Sequence, residues 1–338
     1  MDQHPWFKSY DDNVPHTLEP YPCQTLLDVV RQTANDRPLH PALLFKGAQM
    51  SYAKLDQLSD AFASALVEQG IWKGDIVVVL VPNSPQAVIA QLGIWKTGAI
   101  AAMTNPLYTE YELSRLMTEC RAETAIVLSR FYEKIKSIQP HTSLNRLIVT
   151  NIKEYLPTHL RILFTLFKEG KEGDRISIRD DDMWMSDLLK RHEHSPKPDI
   201  LVNHEDPALL LFSGGTTGVP KGAIGTHQDM LMSGMQVHAW FKGVLREYDD
   251  IIMLAMPLFH VYGNIGVFAT GIVGHNTFAV IPNPRDLGDL ISIIRKVRPA
   301  FLQGYLPCSL PCSIIPKSMR AKWISNPSSY ASLAQPHC

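Results

Sequence analysis

The chain has 338 residues, of which 45% are hydrophobic, enough apolar material for a sizeable core and too much for a disordered polymer. Thirty-two Lys and Arg residues nearly cancel thirty-three Asp and Glu, so no net field steers the whole molecule onto nucleic acid or an anionic membrane. A small, weakly charged partner fits that balance better.

No stretch reaches the roughly 18 to 20 uninterrupted apolar residues of a membrane span. The opening MDQHPWFKSYDD lacks the basic-then-apolar order of a secretory signal, and the expected location is the cytoplasm. Cysteines at 23, 120, 308, 312 and 338 form no zinc-like set, and Cys308 and Cys312 stand one residue too far apart for a redox pair. Reduced thiols are expected.

After an N-terminal arm that reads as irregular, residues 51–70 place Leu55, Leu58, Phe62, Ala65 and Leu66 on one helical stripe, with Ser51 as cap and Gly70 as stop. DIVVVLV (75–81) is the continuous β-branched run of a strand buried on both faces. NSPQAVIAQLGIWKTG follows as a helix, with Ser84 capping, Pro85 in the first turn and Gly98 past the end. AIAAM then reads as a strand and TEYELSRLMTEC as a helix whose Thr109 and Glu112 have capping-box spacing.

TAIVLS and RLIVT supply two further strands. Between 151 and 206 the pattern weakens into EGKEGDRISIRDDD and HEHSPKPD, which read as surface connection. ALLLF, IIMLA and TFAVI resume the strands, a Gly-rich apolar stretch from Tyr262 to Val273 reads as helix, and DLISIIRKV closes the series. The alternation predicts an α/β fold of mainly parallel sheets flanked by helices on both faces.

At 211–222, LFSGGTTGVPKG joins an apolar strand to a burst of glycine, hydroxyl residues and one lysine. Glycines free the backbone N–H groups to turn toward phosphate oxygens, hydroxyls add donors, and a lysine adds charge. Ser213, Gly214, Gly215, Thr216, Thr217, Gly218 and Lys221 are the candidate phosphate-binding set. A Walker loop is excluded because Lys221 lies between Pro220 and Gly222, and a dinucleotide fingerprint because Ser213 stands where glycine is needed.

The order Ser-x-Gly-Thr-Thr-Gly-x-Pro-Lys-Gly resembles the signature loop of the acyl-adenylate-forming superfamily. The block from MSYAKLDQLS to NPLYTEYEL, with its Gly74-Asp75 turn, and MPLFHVYG (256–263) are similar to further blocks of that family, in its order. Together these cover roughly residues 10–303. The Gly-Gly form of the loop, the PWFKSYDDNVP opening and the segment EYLPTHLRILFTLFKEGKEG most resemble bacterial long-chain fatty acyl-CoA ligases.

That resemblance implies an AMP-forming ligase using ATP, Mg²⁺ and CoA on a carboxylic acid. Lys221 and Thr217 would act at the reacting phosphates, and Ser213 would also offer its hydroxyl to magnesium. His260, Tyr262 and Gly263 would shape the acid pocket. A solvated loop lysine remains the plain alternative for Lys221, and a hydrogen-bonded core histidine for His260. The basic and apolar stretch YLPTHLRILFTLFK reads first as core packing and second as a peripheral membrane contact.

The resemblance also implies later segments that this sequence does not contain: a Tyr-Gly-x-Thr-Glu magnesium carboxylate, a Thr-Gly-Asp ribose anchor, and a C-terminal lid domain with a catalytic lysine. Residues 304–338 hold three cysteines, five prolines and no Asp or Glu, and are expected to be an aberrant or disordered tail. Residues 1–303 are expected to form an incomplete N-terminal domain of two α/β subdomains, weakly active or inactive alone. An aryl or medium-chain acid ligase of the 4-coumarate type and a non-catalytic nucleotide-binding remnant are the alternatives.

Overall fold

The computed structural model describes residues 4–179, 181–213 and 221–302. Thr25 opens the first long helix, α1 (Leu26–Asp36), through a capping box with Asp28. Strands β1 (Pro41–Phe45) and β2 (Ala48–Ser51) follow as an antiparallel hairpin. Its two turn residues, Lys46 and Gly47, both have positive φ (49° and 93°), the conformation a two-residue hairpin requires. The arm expected to be irregular is therefore structured from Leu26 onward.

The next elements match their sequence signals closely. In α2 (Tyr52–Glu68) the Ser51 hydroxyl accepts from the Lys54 amide, and Gly70 leaves the helix at φ 78°. Strand β3 (Ile76–Leu80) leads into α3 (Pro85–Lys96), capped by Ser84, and then β4 (Ile100–Met103). Thr109 and Glu112 form the expected capping box of α4 (Glu110–Glu119), and β5 (Thr124–Leu128), α5 (Tyr132–Ile138) and β6 (Arg146–Thr150) continue the alternation.

The stretch from 151 to 206 is more than surface connection. It carries α6 (Thr158–Phe167), β7 (Met183–Trp184) and α7 (Met185–Arg191). Asp174 within it is buried, accepting from the Ser129 hydroxyl at 2.6 Å and pairing with the Arg130 guanidinium. A charged run looked solvated because the partners of Asp174 lie 45 and 44 residues away.

Strands β8 (Pro207–Ser213) and β9 (Lys221–Thr226) pair antiparallel, and Thr226 with Asp229 caps α8 (His227–Phe241). After β10 (Ile251–Leu254) comes a π-helical stretch, Tyr262–Ala269, continuing into α9 (Thr270–Val273). Strand β11 (Thr277–Val280), α10 (Leu287–Val297) and β12 (Phe301–Leu302) complete the described chain.

The strands form two sheets. One has the order β7-β6-β5-β3-β4-β8-β9 and is parallel except for its last hairpin; the other, β12-β10-β11-β1-β2, is parallel except for β1–β2. The expected mainly parallel α/β architecture is what the chain adopts. Alternation along β3 shows the layering: Val77 and Val79 enter the core between the sheets, with α1, α2, α3 and α8, whereas Val78 and Leu80 face α4 and α5 on the outside. Leu290 and Ile294 of α10 cover the outer face of the second sheet.

Helix α3 is buried all round, between the sheets. Gly93 lets it approach α2, since a Cβ there would lie 2.7 Å from the Phe62 ring. The buried Lys96 ammonium meets Asp56 at 2.5 Å and Asp60 at 2.6 Å, and the Trp95 indole donates to the Ala208 carbonyl at 2.7 Å. His227 packs edge-on against Trp95, only 1% exposed, and burial depresses its pKa to about 4.

Because the native pKa lies below the ordinary 6.5, the unfolded chain takes up a proton between pH 6.5 and 4 that the native state refuses. Stability present above pH 6.5 is thus lost as pH falls to 4. Urea unfolding of the parent against His227→Phe should show the parent losing on the order of 3 kcal/mol relative to the variant across that window. Parallel pH profiles would contradict this origin.

Candidate functional site

The site sits where strands of both sheets end. In the larger sheet β3, β4 and β8 run parallel, so the loops that follow them emerge on one side. The loop after β3 carries Asn83, which is buried, and its side chain crosses to the other sheet. Its Nδ2 donates to the carbonyls of Leu254 and Met256 at 3.0 and 2.9 Å, and its Oδ1 accepts from the Leu258 amide at 2.9 Å. One amide thus fastens the end of β3 to the turn that follows β10.

That turn, 256–260, is fixed from a second direction. Asn264 donates to the Leu258 carbonyl at 2.8 Å and exchanges two hydrogen bonds with Gln91 of α3, at 2.9 and 3.0 Å, and both amides are fully buried. Asn83, Gln91 and Asn264 escape a reading based on strands and glycine loops. Gln91 and Asn264 lie inside apolar runs, where a polar residue persists only when its hydrogen bonds are satisfied. Asn83, between Pro82 and Ser84, gives no such signal, and none of the three stands out until its burial is seen.

His260 ends the turn in an exposed position, so it is not a core residue. Its Nδ1 accepts from the Tyr262 amide at 3.3 Å, which leaves the proton of a neutral ring on Nε2. Tyr262 is half-buried with its ring over Gly266. Gly263 is buried where no side chain fits, because a Cβ would stand 2.1 Å from the Pro257 carbonyl oxygen. His260, Tyr262 and Gly263 are brought together in this one turn.

The β8–β9 hairpin places Ser213 directly opposite Lys221 across its last backbone pair. Lys221 is exposed at the start of β9. Gly214, Gly215, Thr216, Thr217 and Gly218 lie outside the described residues, as does the side chain of Ser213. After β4, Asn105 organises the adjoining loop by accepting from the Leu107 amide at 3.0 Å. Among the described residues no group of three or more His, Cys, Asp or Glu side chains is placed to hold a metal ion.

A cavity of about 520 Å³ lies elsewhere, between the N-terminal arm and the second half of α8, lined by Asp12, Val14, Met235, His238 and Lys242. It adjoins Val273, just before β11 begins, and so belongs to the strand-start side of the second sheet.

Paired C-terminal strand ends and the hydrogen-bonded 256–260 turn give this α/β fold one candidate ligand-binding edge, at the carboxyl ends of its sheets. A family model described as AMP-binding enzyme matches residues 30–305, and the chain belongs to that family. It is similar to the long-chain-fatty-acid–CoA ligase of Bacillus subtilis (strain 168), with 32% identity over 306 residues, 89% of this chain and 54% of that protein.

In fold it is similar to an anthranilate CoA ligase solved in complex with anthranoyl-AMP (TM-score 0.69, 22% identity, 83% of this chain and 50% of that one). A long-chain-fatty-acid-CoA ligase from Archaeoglobus fulgidus gives a TM-score of 0.68 at 23% identity, over 87% of this chain and 53% of that one. The chain spans about half the length of the curated relatives it matches.

Truncating Asn83 to Ala removes three hydrogen bonds, two of them buried, and should lower the unfolding free energy by about 3 kcal/mol. Hydrogen exchange at Leu258 should accelerate with it. Asn83→Asp keeps the acceptor for Leu258 but sets a carboxylate against two carbonyls, and should be at least as destabilising. Parent-like stability in both variants would show that the bridge between sheets is dispensable.

Proposed function

We propose that this chain forms the nucleotide- and acid-binding part of an AMP-forming acid–CoA ligase whose acid is a long-chain fatty acid. The observation that carries this is the backbone pairing of β8 with β9, in which Ser213 is registered opposite Lys221 at the two ends of the glycine and threonine run. The long-chain fatty-acid ligase of Bacillus subtilis supports the choice of acid.

In the first step a carboxylate oxygen attacks the α-phosphorus of ATP, and the bond to the β-phosphate oxygen breaks, giving acyl-adenylate and pyrophosphate. In the second, the thiol sulfur of CoA attacks the acyl carbon, the bond to AMP breaks and the thiol proton departs. Negative charge builds on the phosphate oxygens during the first step, so fixed donors stabilise its transition state more than its ground state. Ser213, Thr216, Thr217 and the amides of Gly214, Gly215 and Gly218 would be those donors, with Lys221 neutralising the departing pyrophosphate.

His260 and Tyr262 would border the acid, on a turn that the Asn83 bridge keeps in fixed relation to the nucleotide loop. A reaction that uses ATP and CoA suits the expected cytoplasmic placement. A second reading, an aryl-acid ligase, draws on PLFHVYG and on the 4-coumarate–CoA ligase of Petroselinum crispum, 26% identical over 75% of this chain. The ribose carboxylate and lid lysine that the family resemblance implies are not in this sequence, so adenylation is proposed to need a longer chain.

ATP–pyrophosphate exchange separates these readings. The 338-residue chain should show no palmitate-dependent exchange, whereas a version extended with the missing segments should show it with palmitate and far less with 4-coumarate. In the extended protein, Lys221→Ala and Thr217→Ala should each reduce kcat/KM at least on the order of tenfold. Exchange driven by 4-coumarate alone would favour the aryl reading, and unimpaired variants would remove the loop from the chemistry.

A further inference from the structure

Helix α6 departs from the core packing that its sequence suggests. Its Phe164 is buried at 8% exposure, but Ile162, Leu163, Leu166 and Phe167 are 54, 50, 66 and 63% exposed. Positions 162, 163, 166 and 167 adjoin one another on a helix, so these four large side chains make one continuous apolar face turned away from the protein. A lone exposed leucine needs no explanation; a grouped face on one short helix does.

The charges around this helix are sorted by sign. Its acidic neighbours are engaged: Glu169 pairs with Lys153, and Glu172 and Asp174 pair with Arg130. Its basic neighbours Arg161, Lys168 and Lys171 are exposed and form no ion pair among the described residues. Lys296, at the exposed end of α10, adds to them. The β1–β2 turn lies between it and the start of α6, since a Cβ on Gly47 would stand 3.6 Å from Lys296 Nζ and 3.9 Å from Pro157 Cγ. Arg295 and Arg298 flank Lys296 and are likewise exposed and in no ion pair among the described residues.

We propose that α6 is an interfacial helix that seats this domain on an anionic phospholipid surface, with Ile162, Leu163, Leu166 and Phe167 entering the acyl boundary and the surrounding Lys and Arg side chains meeting the head groups. A second copy fits poorly, because a two-fold contact would bring the same basic set against itself. Residues 303–338 of the chain also fit poorly: they contain Lys317, Arg320 and Lys322 and no carboxylate side chain. The near-zero net charge of the whole chain leaves this local attraction intact, because screening confines it to about one Debye length. The inference does not rest on the ligase reading and is tested without catalysis.

The full 338-residue chain should co-sediment with vesicles of phosphatidylglycerol and phosphatidylcholine. It should do so on the order of tenfold less with pure phosphatidylcholine or in high salt. The double variant Leu166→Ser, Phe167→Ser should lose on the order of tenfold in partitioning while keeping the parent's near-ultraviolet circular dichroism, since both positions are exposed. Lys168→Glu with Lys171→Glu should weaken binding and flatten its salt dependence.

Phe167→Trp, which keeps the face apolar, should gain fluorescence quenching by lipids brominated in their acyl chains, beyond the parent's own tryptophan signal. The proposal falls if the parent ignores anionic vesicles, if the serine variant binds them equally, or if the emission added by Phe167→Trp escapes the brominated lipid. It also falls if the serine variant abolishes self-association of the free protein instead, which would make the face a contact between copies.

Discussion

Two parallel sheets can serve one reaction only if their carboxyl ends are held in register, and in this chain a single buried amide does much of that holding. Asn83 lies just past the end of β3 and bonds the last carbonyl of β10 and two backbone groups of the turn that follows it. The Leu254 carbonyl also accepts from the Ile281 amide, but the buried Leu258 amide has Asn83 as its partner, and a buried donor left unpaired costs more than a formed bond returns. These hydrogen bonds add a directional tie between two sheets that also share one continuous apolar core.

The rest of the site inherits its placement from that constraint. Gln91 and Asn264 extend the amide network into α3 and the π-helical stretch, so the turn bearing His260 is gripped on two sides. Gly263 admits the carbonyl of Pro257 where any side chain would collide, which makes the tight return into the helix available to glycine alone. On the other flank, β8 is registered against β4, and β4 against β3, so the glycine-rich hairpin and the His260 turn are tied to the same strand. Positioning of this kind suits the proposed adenylyl transfer, whose barrier depends on holding two anionic reactants in line.

Much of the fold was legible because it rests on local rules. The apolar runs of β3, β4, β5, β6, β8, β10 and β11 read as strands, and Ser51, Ser84 and Thr109 mark helix starts that the structure keeps. Features that depend on distant partners were not legible. Asp174 looked solvated until Ser129 and Arg130 came beside it, and the Lys46–Gly47 turn lacks the usual Asn or Asp of a hairpin. Helix α6 shows the limit of periodicity most clearly: an apolar stripe says which side chains seek cover, and says nothing about whether the cover is protein or another phase. At the candidate site, the glycine-rich loop and the 256–263 turn stood out in the sequence, whereas the amides that lock that turn did not, since Asn and Gln become informative only once they are seen to be buried.

The most direct test of this account is hydrogen exchange with and without a hydrolysis-resistant acyl-adenylate mimic, palmitoyl sulfamoyl adenosine, followed peptide by peptide. Protection is expected in peptides spanning 208–226 and 256–263 together, with α4 and α6 unchanged. Protection confined to other segments, or none at the carboxyl ends of β8 and β10, would contradict the claim that these strand ends form one ligand-binding edge.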